Sequence, residues 1–243
     1  MLGKSKVKYI QSLGQKKFRD EAGLFIAEGP KIVSELLETC PARVKQVFAI
    51  GDWLSEHQRQ TQGIETEMIQ EEDLDKISQL KTPNKVLALV EYAANEEIEL
   101  KGQLSLGLCG IQDPGNLGTI IRIADWFGIS QLICSEDSAD QYNPKVIQAT
   151  MGSIARVNVF YTDLANLLSG LKDFPIFATV LNGEDVRKAG QPKEGIILIG
   201  NESKGIPLEL LSIANRHITI SKKGGAESLN AGVAAGIILS HLT

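Results

Sequence analysis

Three short segments in the second half of the chain, residues 116–122, 200–205 and 228–230, concentrate polar side chains and glycines where the surrounding sequence reads as buried strand and helix. Polar groups that interrupt apolar runs mark sites, because burying them without partners is costly. Asn116 and Arg122 stand six residues apart, with Asn116 in a Pro-Gly turn that opens a helix. Free N–H groups at a helix start favour anions such as phosphate. Arg122 adds planar, multi-donor recognition that a lysine lacks. Taken alone it reads equally well as a salt-bridge partner or a solvated charge.

The loop Gly200-Asn201-Glu202-Ser203-Lys204-Gly205 has the two spaced glycines of a phosphate-binding P-loop. A P-loop continues with Lys and then Ser or Thr, whereas this chain continues Ile206-Pro207. No GxGxxG follows the first strand of the second half either, so ATP, GTP and NAD binding are disfavoured. A tight strand-to-helix turn with Pro207 opening the helix accounts for the glycines. It leaves Asn201 and Glu202 at the end of an apolar strand unexplained. Ser228-Leu229-Asn230 opens the last helix, where Ser228 is an N-cap or a site residue. Ala231, Gly232, Ala234, Ala235 and Gly236 then leave little bulk, which suits tight packing, a subunit contact or a ligand.

The elements that must position these segments are legible as short apolar runs. Residues 104–109, 131–134, 157–160, 176–180, 196–199 and 217–220 suit parallel strands covered on both faces. Helices fit between them at 117–127, 144–150, 163–171, 207–214 and 228–242. This rhythm predicts an α/β open wound sheet, in which ligands sit beyond the strand C-termini. The first part predicts a smaller α/β unit: strands at 24–27, 44–50 and 86–92, helices at 31–38 and from Glu71, and a polar segment at 55–69. Residues 93–102 read as the linker, giving domains 1–95 and 103–243.

The 243 residues carry 43% hydrophobic content and a net charge of -5 with pI near 5.4. That size builds a real core, and that charge argues against wholesale wrapping by nucleic acid. A local exception is the N-terminal arm, where Lys4, Lys6, Lys8, Lys16, Lys17 and Arg19 precede the first acid, Asp20. A solvated terminus and an RNA contact are both open there. Cys40, Cys109 and Cys134 lack the spacing of a disulfide framework or a zinc site, so buried thiols in a reducing compartment and no metal are expected. The most apolar C-terminal stretch is about half the ~20 residues needed to span a bilayer. A cytoplasmic protein without membrane attachment is the expectation.

Taken in order, the segments resemble the three signature motifs of the SpoU (TrmH) family of RNA ribose methyltransferases, in the SPOUT superfamily. Motif one corresponds to Asn116-Leu117-Gly118 through Arg122 and on to Phe127-Gly128; motif two to Leu198-Ile199-Gly200-Asn201-Glu202 with Gly205; motif three to Ile220 followed nine residues later by Leu229 in Ser228-Leu229-Asn230. Phe25-Ile26-Ala27-Glu28-Gly29-Pro30-Lys31 is similar to the start of the L30e-like substrate-binding domain that often precedes the catalytic one. Many relatives carry Pro where this chain has Ser221, and Lys222-Lys223-Gly224-Gly225 replaces a more neutral loop.

The resemblance implies a C-terminal SPOUT domain with a parallel sheet and a deep trefoil knot, a homodimer, and S-adenosylmethionine bound within the knot. Patterning shows no knot, and general topology rules argue against one. By carry-over, Gly200, Ile220 and Leu229 hold the adenosine part, with Asn201 and Ser228 nearby. Arg122, assisted by Asn116, Glu202 and Asn230, serves methyl transfer to a ribose 2'-hydroxyl of rRNA or tRNA, rRNA being slightly favoured. A guanidinium stays protonated in proteins, so fixing a phosphate and stabilising the developing alkoxide is the alternative to a base role. Lys16, Lys17 and Arg19 are the candidate RNA contacts. The rivals are a non-catalytic RNA-binding protein with a degenerate knot, and a SPOUT enzyme that modifies a base.

Overall fold

The computed structural model describes residues 1–94 and 97–243. Asn95 and Glu96, within the expected linker, lie outside the described residues. By mutual contacts the chain forms two units: Met1–Asn95 with Asp140–Ala155, and Glu96–Ala139 with Arg156–Thr243. Among the described residues no helix is long and apolar enough to cross a membrane.

The first unit runs α1 (Lys4–Ser12), α2 (Lys16–Ala22), β1 (Leu24–Glu28), α3 (Pro30–Thr39), β2 (Val44–Ala49), α4 (Gly51–Glu56), β3 (Glu65–Met68), α5 (Glu71–Ile77) and β4 (Val86–Glu91). Its sheet has the order β1-β4-β2-β3, antiparallel except for the β2–β3 pair. Ile26, Phe48, Leu87 and Leu89 from the strands meet Ile10, Leu13, Leu74 and Ile77 in one buried cluster. The largely polar segment 55–69 nevertheless supplies β3. It is an edge strand whose Met68 is 67% exposed, so nothing demands apolar alternation.

The basic arm is helical. Val7, Ile10 and Leu13 seat α1 on the core, and α2 ends at Gly23, whose φ of 63° suits a residue without Cβ. Lys4, Lys8, Lys16 and Lys17 are exposed. Arg19 departs from the expected RNA contact: its side chain is 2% exposed and ion-paired to Asp140, and its Nη1 donates to the carbonyls of Leu13 and Gly14, each at 2.9 Å. Its charge therefore orders the turn between α1 and α2 and is withdrawn from solvent. Asp140 opens the stretch containing α7 (Pro144–Thr150), whose Gln148 donates to the carbonyl of Glu28 at 3.0 Å.

The second unit contains β5 (Leu104–Cys109), α6 (Pro114–Trp126), β6 (Gln131–Cys134), β7 (Asn158–Tyr161), α8 (Leu164–Ser169), β8 (Ile176–Asp185), β9 (Gly195–Gly200), α9 (Leu208–Ile213), β10 (Arg216–Thr219) and α10 (Ala231–Leu242). Six strands in the order β10-β8-β9-β5-β6-β7 pair in parallel throughout. Ile133, Ile176, Ala178, Ile196 and Leu198 pack with Leu164 and Leu168 of α8. Gly107 on β5 leaves room for β9, since a Cβ there would come within 2.5 Å of Leu198 Cδ2 and displace that side chain.

Most boundaries shift by one to three residues from the sequence reading, and two of the differences bear on the site. β8 runs five residues beyond 180, since Glu184 and Asp185 pair with Ile218 and Thr219 after a register shift in β10. This extension is exposed at Leu181 and so carries no apolar signal. The last helix begins at Ala231 with Asn230 as its N-cap, so Ser228 belongs to the preceding loop.

Removing one member of a buried ion pair leaves the other charge uncompensated, at about 3 to 5 kcal/mol. Asp140→Ala is expected to lower stability by about 3 kcal/mol, and Arg19→Met by clearly less, in urea denaturation followed by circular dichroism. A loss below about 1 kcal/mol for Asp140→Ala would show that the pair carries little.

Candidate functional site

The site lies at the C-terminal ends of parallel strands. α6 opens with Asp113, whose side chain accepts from Asn116 N at 2.8 Å, followed by Pro114 at its first position. That pair is a helix-start signal readable in the sequence. Asp113 thereby fixes where the Asn116 carboxamide stands.

β9 ends at Gly200 and the chain folds back on itself. Gly205 N donates to Asn201 O at 2.8 Å, and Gly205 takes a φ of 70°. Asn201 Oδ1 accepts from Ser203 N at 2.9 Å and Lys204 N at 3.1 Å, while its Nδ2 donates to Gly110 O at 2.8 Å at the end of β5. Asn201 thus ties two strand ends together. A Cβ on Gly200 would stand 2.5 Å from the Gly205 carbonyl carbon, so only glycine permits this reversal.

Asn230 works in two directions. Its Oδ1 accepts from Gly232 N at 3.0 Å and Val233 N at 3.2 Å to cap α10, and its Nδ2 donates to Asn116 Oδ1 at 2.7 Å. Asn116 Nδ2 in turn donates to the Glu202 carboxylate. Three of the four residues expected to act together, one from each segment, therefore form a single hydrogen-bonded chain.

A cavity of about 1560 Å³ adjoins this chain. Gly200, Asn201, Glu202, Ile220, Ser228 and Leu229 all line it, so every expected cofactor contact opens onto one space. Ile199, Ile206, Ala234 and Ile238 supply apolar wall. His217, which the sequence reading left outside the segments, also lines it and places Nε2 3.2 Å from Leu211 O. The loop 221–230 forms an exposed side of the cavity, anchored at Ser221 by a hydrogen bond to Asp185. Arg187, then Ser221, hold the Asp185 carboxyl well below the usual carboxylate range. Neither anchor has a pattern in the sequence, since both depend on the β8 extension.

Arg122 stands apart. Six residues of helix rotate it about 120° from Asn116, it is exposed, and it has no ion-pair partner among the described residues. It shares an exposed face of α6 with Gly115 and Trp126, the latter 85% exposed. A smaller cavity of about 110 Å³ lies beside Asn201 and Cys109. Burial pushes the Cys109 thiol up to about 12, which makes it inert as a nucleophile. Among the described residues no cluster of three or more His, Cys, Asp or Glu could hold a metal ion.

Comparison with known proteins gives the following. The profile described as the SpoU rRNA Methylase family matches residues 103–240, and that of an MRM3-like substrate binding domain matches residues 4–88. The chain is 30% identical over 240 residues to the 23S rRNA (guanosine(2553)-2'-O)-methyltransferase RlmP of Bacillus subtilis, covering 98% of this chain and 95% of that protein. The AdoMet-bound rRNA methyltransferase from Sinorhizobium meliloti is similar with TM-score 0.86 and 29% identity, over 100% of this chain and 95% of the other. The SpoU methyltransferase AviRb from Streptomyces viridochromogenes, in complex with AdoMet, gives TM-score 0.83 and 25% identity, over 99% and 97%.

Loss of an Asn cap costs about 1 kcal/mol. Asn230→Ala is expected to destabilise by at least that amount, whereas Asn230→Asp keeps the cap acceptor and recovers most of the loss. Thermal unfolding of the three proteins tests this; equal melting temperatures for Asn230→Ala and the unaltered chain would remove the capping role.

Proposed function

The chain belongs to the SpoU rRNA methylase family, and on that footing we propose that it methylates a ribose 2'-hydroxyl of RNA, ribosomal RNA in preference to transfer RNA. The observation that carries the reading is the meeting of Gly200, Ile220 and Leu229 at one cavity bordered by the Asn230–Asn116–Glu202 chain. The cofactor is S-adenosylmethionine. Apolar wall, glycine backbone and a few polar groups at the rim fit an adenosine moiety, and an Ala at position 200 would clash with the loop that frames it.

When bound, S-adenosylmethionine supplies an electrophilic methyl group without any metal. The protein's own residues hold the acceptor. Asn116, fixed from both sides by Glu202 and Asn230, offers a rigid edge against which a sugar can be oriented. Rigid placement matters because in-line transfer depends on near-attack geometry. A guanidinium makes a poor base, so the role proposed for Arg122 is to fix a phosphate and stabilise the alkoxide as it develops. The intact Asn230–Asn116–Glu202 chain, together with Arg122, argues against a binding protein without activity.

A homodimer and a deep trefoil knot are parts of the same reading. Trp126 and Val233, 85% and 50% exposed, lie on α6 and α10, two helices that pack on each other. Exposed apolar groups on adjacent helices suit a second copy, and such a copy would give Arg122 neighbours that it lacks in one chain. The knot draws support from α10, which returns to α6 and β9 after the loop 221–230. The cytoplasm is the proposed compartment, in keeping with the free cysteines Cys109 and Cys134. Lys16 and Lys17 remain the proposed RNA contacts of the first unit.

Arg122→Ala should lower methyl transfer at least about 100-fold, the size of losing one aimed donor, with cofactor affinity nearly unchanged. Tritiated-methyl transfer beside calorimetric titration tests this, and undiminished turnover removes Arg122 from the mechanism. Trp126→Glu should shift the protein from dimer to monomer in light scattering, and an unaltered chain already monomeric at the same concentration would overturn the dimer.

A further inference from the structure

The loop that walls the cavity carries Lys222 and Lys223 followed by Gly224 and Gly225. All residues from 221 to 230 are exposed, and both ends are held: Ser221 donates to Asp185, and Asn230 donates to Asn116. Between those anchors Lys222 and Lys223 line the cavity, joined by Lys204 from the glycine loop. None of the three ammonium groups has an ion-pair partner among the described residues. The carboxylates lining the same space are Glu202, engaged by Asn116, and Glu227. A chain of net charge -5 thus places three unpaired cations at one opening.

Size and lining narrow the partner. The cavity, about 1560 Å³, exceeds the roughly 300–1,000 Å³ typical of a small-molecule site. It has room for the cofactor and part of a second ligand. Among the described residues no Phe, Tyr or Trp lines it and His217 is its one aromatic ring, so a stacking platform for successive bases is not what it offers. Lysines are flexible point charges suited to tracking phosphates. Cβ atoms on Gly224 and Gly225 would meet nothing within 4 Å, so the backbone beside the lysines is sterically free to turn.

From this we infer that Lys222 and Lys223, with Lys204, form a phosphate clamp for the RNA strand, gripping the backbone that flanks the target ribose without reading its sequence. The clamp rests on the proposed methyl transfer for its orientation, and on the RNA alone for its affinity. The loop is then a substrate-positioning element whose anchors Ser221 and Asn230 hold it against the Asn116–Glu202 pair.

The test uses the full chain and a fluorescein-labelled single-stranded oligouridylate, with anisotropy titrations at several salt concentrations. Each phosphate contact on a single strand contributes about -0.7 to the slope of log affinity against log salt. Replacing both Lys222 and Lys223 with Ala should make that slope shallower by about 1 to 1.5 and weaken RNA binding several-fold near physiological salt. Replacing both with Arg should restore the slope. Calorimetry should show S-adenosylmethionine affinity unaltered by the Ala pair. An unchanged slope and RNA affinity would overturn the clamp, as would loss of S-adenosylmethionine affinity with RNA binding intact, which would assign the lysines to the cofactor. An unaltered protein that ignores S-adenosylmethionine would count against the proposed reaction, while the salt slope still decides the clamp.

Discussion

The carboxamide of Asn116 is the joint on which the site depends. It is the sole residue of the Asn230–Asn116–Glu202 chain bonded to both others, accepting from Asn230 at 2.7 Å and donating to Glu202. An amide can do this because it carries an acceptor and donors on one planar group. Aspartate at that position would lose the donor and face the Glu202 carboxylate; leucine would leave both partners unmatched. Asp113 fixes the backbone beneath it, so the start of α6 and the polar chain are one structure.

Why these three segments converge follows from sheet topology. In a parallel sheet all strands end on the same side, and the loops after them gather there. β5 and β9 are neighbours whose pairing runs from Leu104↔Gly195 to Cys109↔Gly200, so their exits emerge together. Asn201 then bonds across to Gly110. The third segment arrives differently: β10 is at the sheet edge, and the exposed loop after it leads to Asn230, which caps α10. Two segments are placed by backbone ladders and the third by a side chain that serves simultaneously as a cap. This explains why Asn230 is an amide, since a serine could cap but could not also reach Asn116 as a two-sided donor and acceptor.

Much of this was readable in the residues, for physical reasons that differ by element. β5, β6 and α7 are apolar or Pro-initiated runs bounded by turn residues, and their limits in the structure are those of the pattern. The distal half of β8 was not readable, because Leu181 to Asp185 is an exposed extension held by pairing to β10, and edge pairing leaves no period in sequence. The helices of the basic arm were hidden by composition: α1 buries one stripe while its lysines face outward. Arg19 shows the same limit at a single residue. Its neighbours Lys16 and Lys17 are exposed, and only tertiary contact with Asp140, distant in sequence, turns an apparent surface charge into an internal one. Of the site, the motif residues were legible as polar interruptions, whereas the anchor between Ser221 and Asp185 was not.

Charge is distributed in a way that bears on how an acidic protein can handle RNA. Lys204, Lys222 and Lys223 at the cavity and Arg122 on the outer face of α6 are cations without an ion-pair partner among the described residues, as is Lys16 on the basic arm. Other cations are taken up by carboxylates, Arg19 in the interior by Asp140, and Arg156 and Arg187 at the surface by Asp125 and Asp185. Arginine suits a fixed pairing because its fork satisfies a carboxylate with two parallel bonds, as Arg156 does to Asp125. The lysines of the clamp face solvent, where no fixed geometry is needed. On this division the overall charge of -5 is no obstacle to RNA contact. It repels a polyanion from much of the surface, so that attraction is concentrated at the exposed lysines of α1 and α2 and at those of the opening where the sugar must enter.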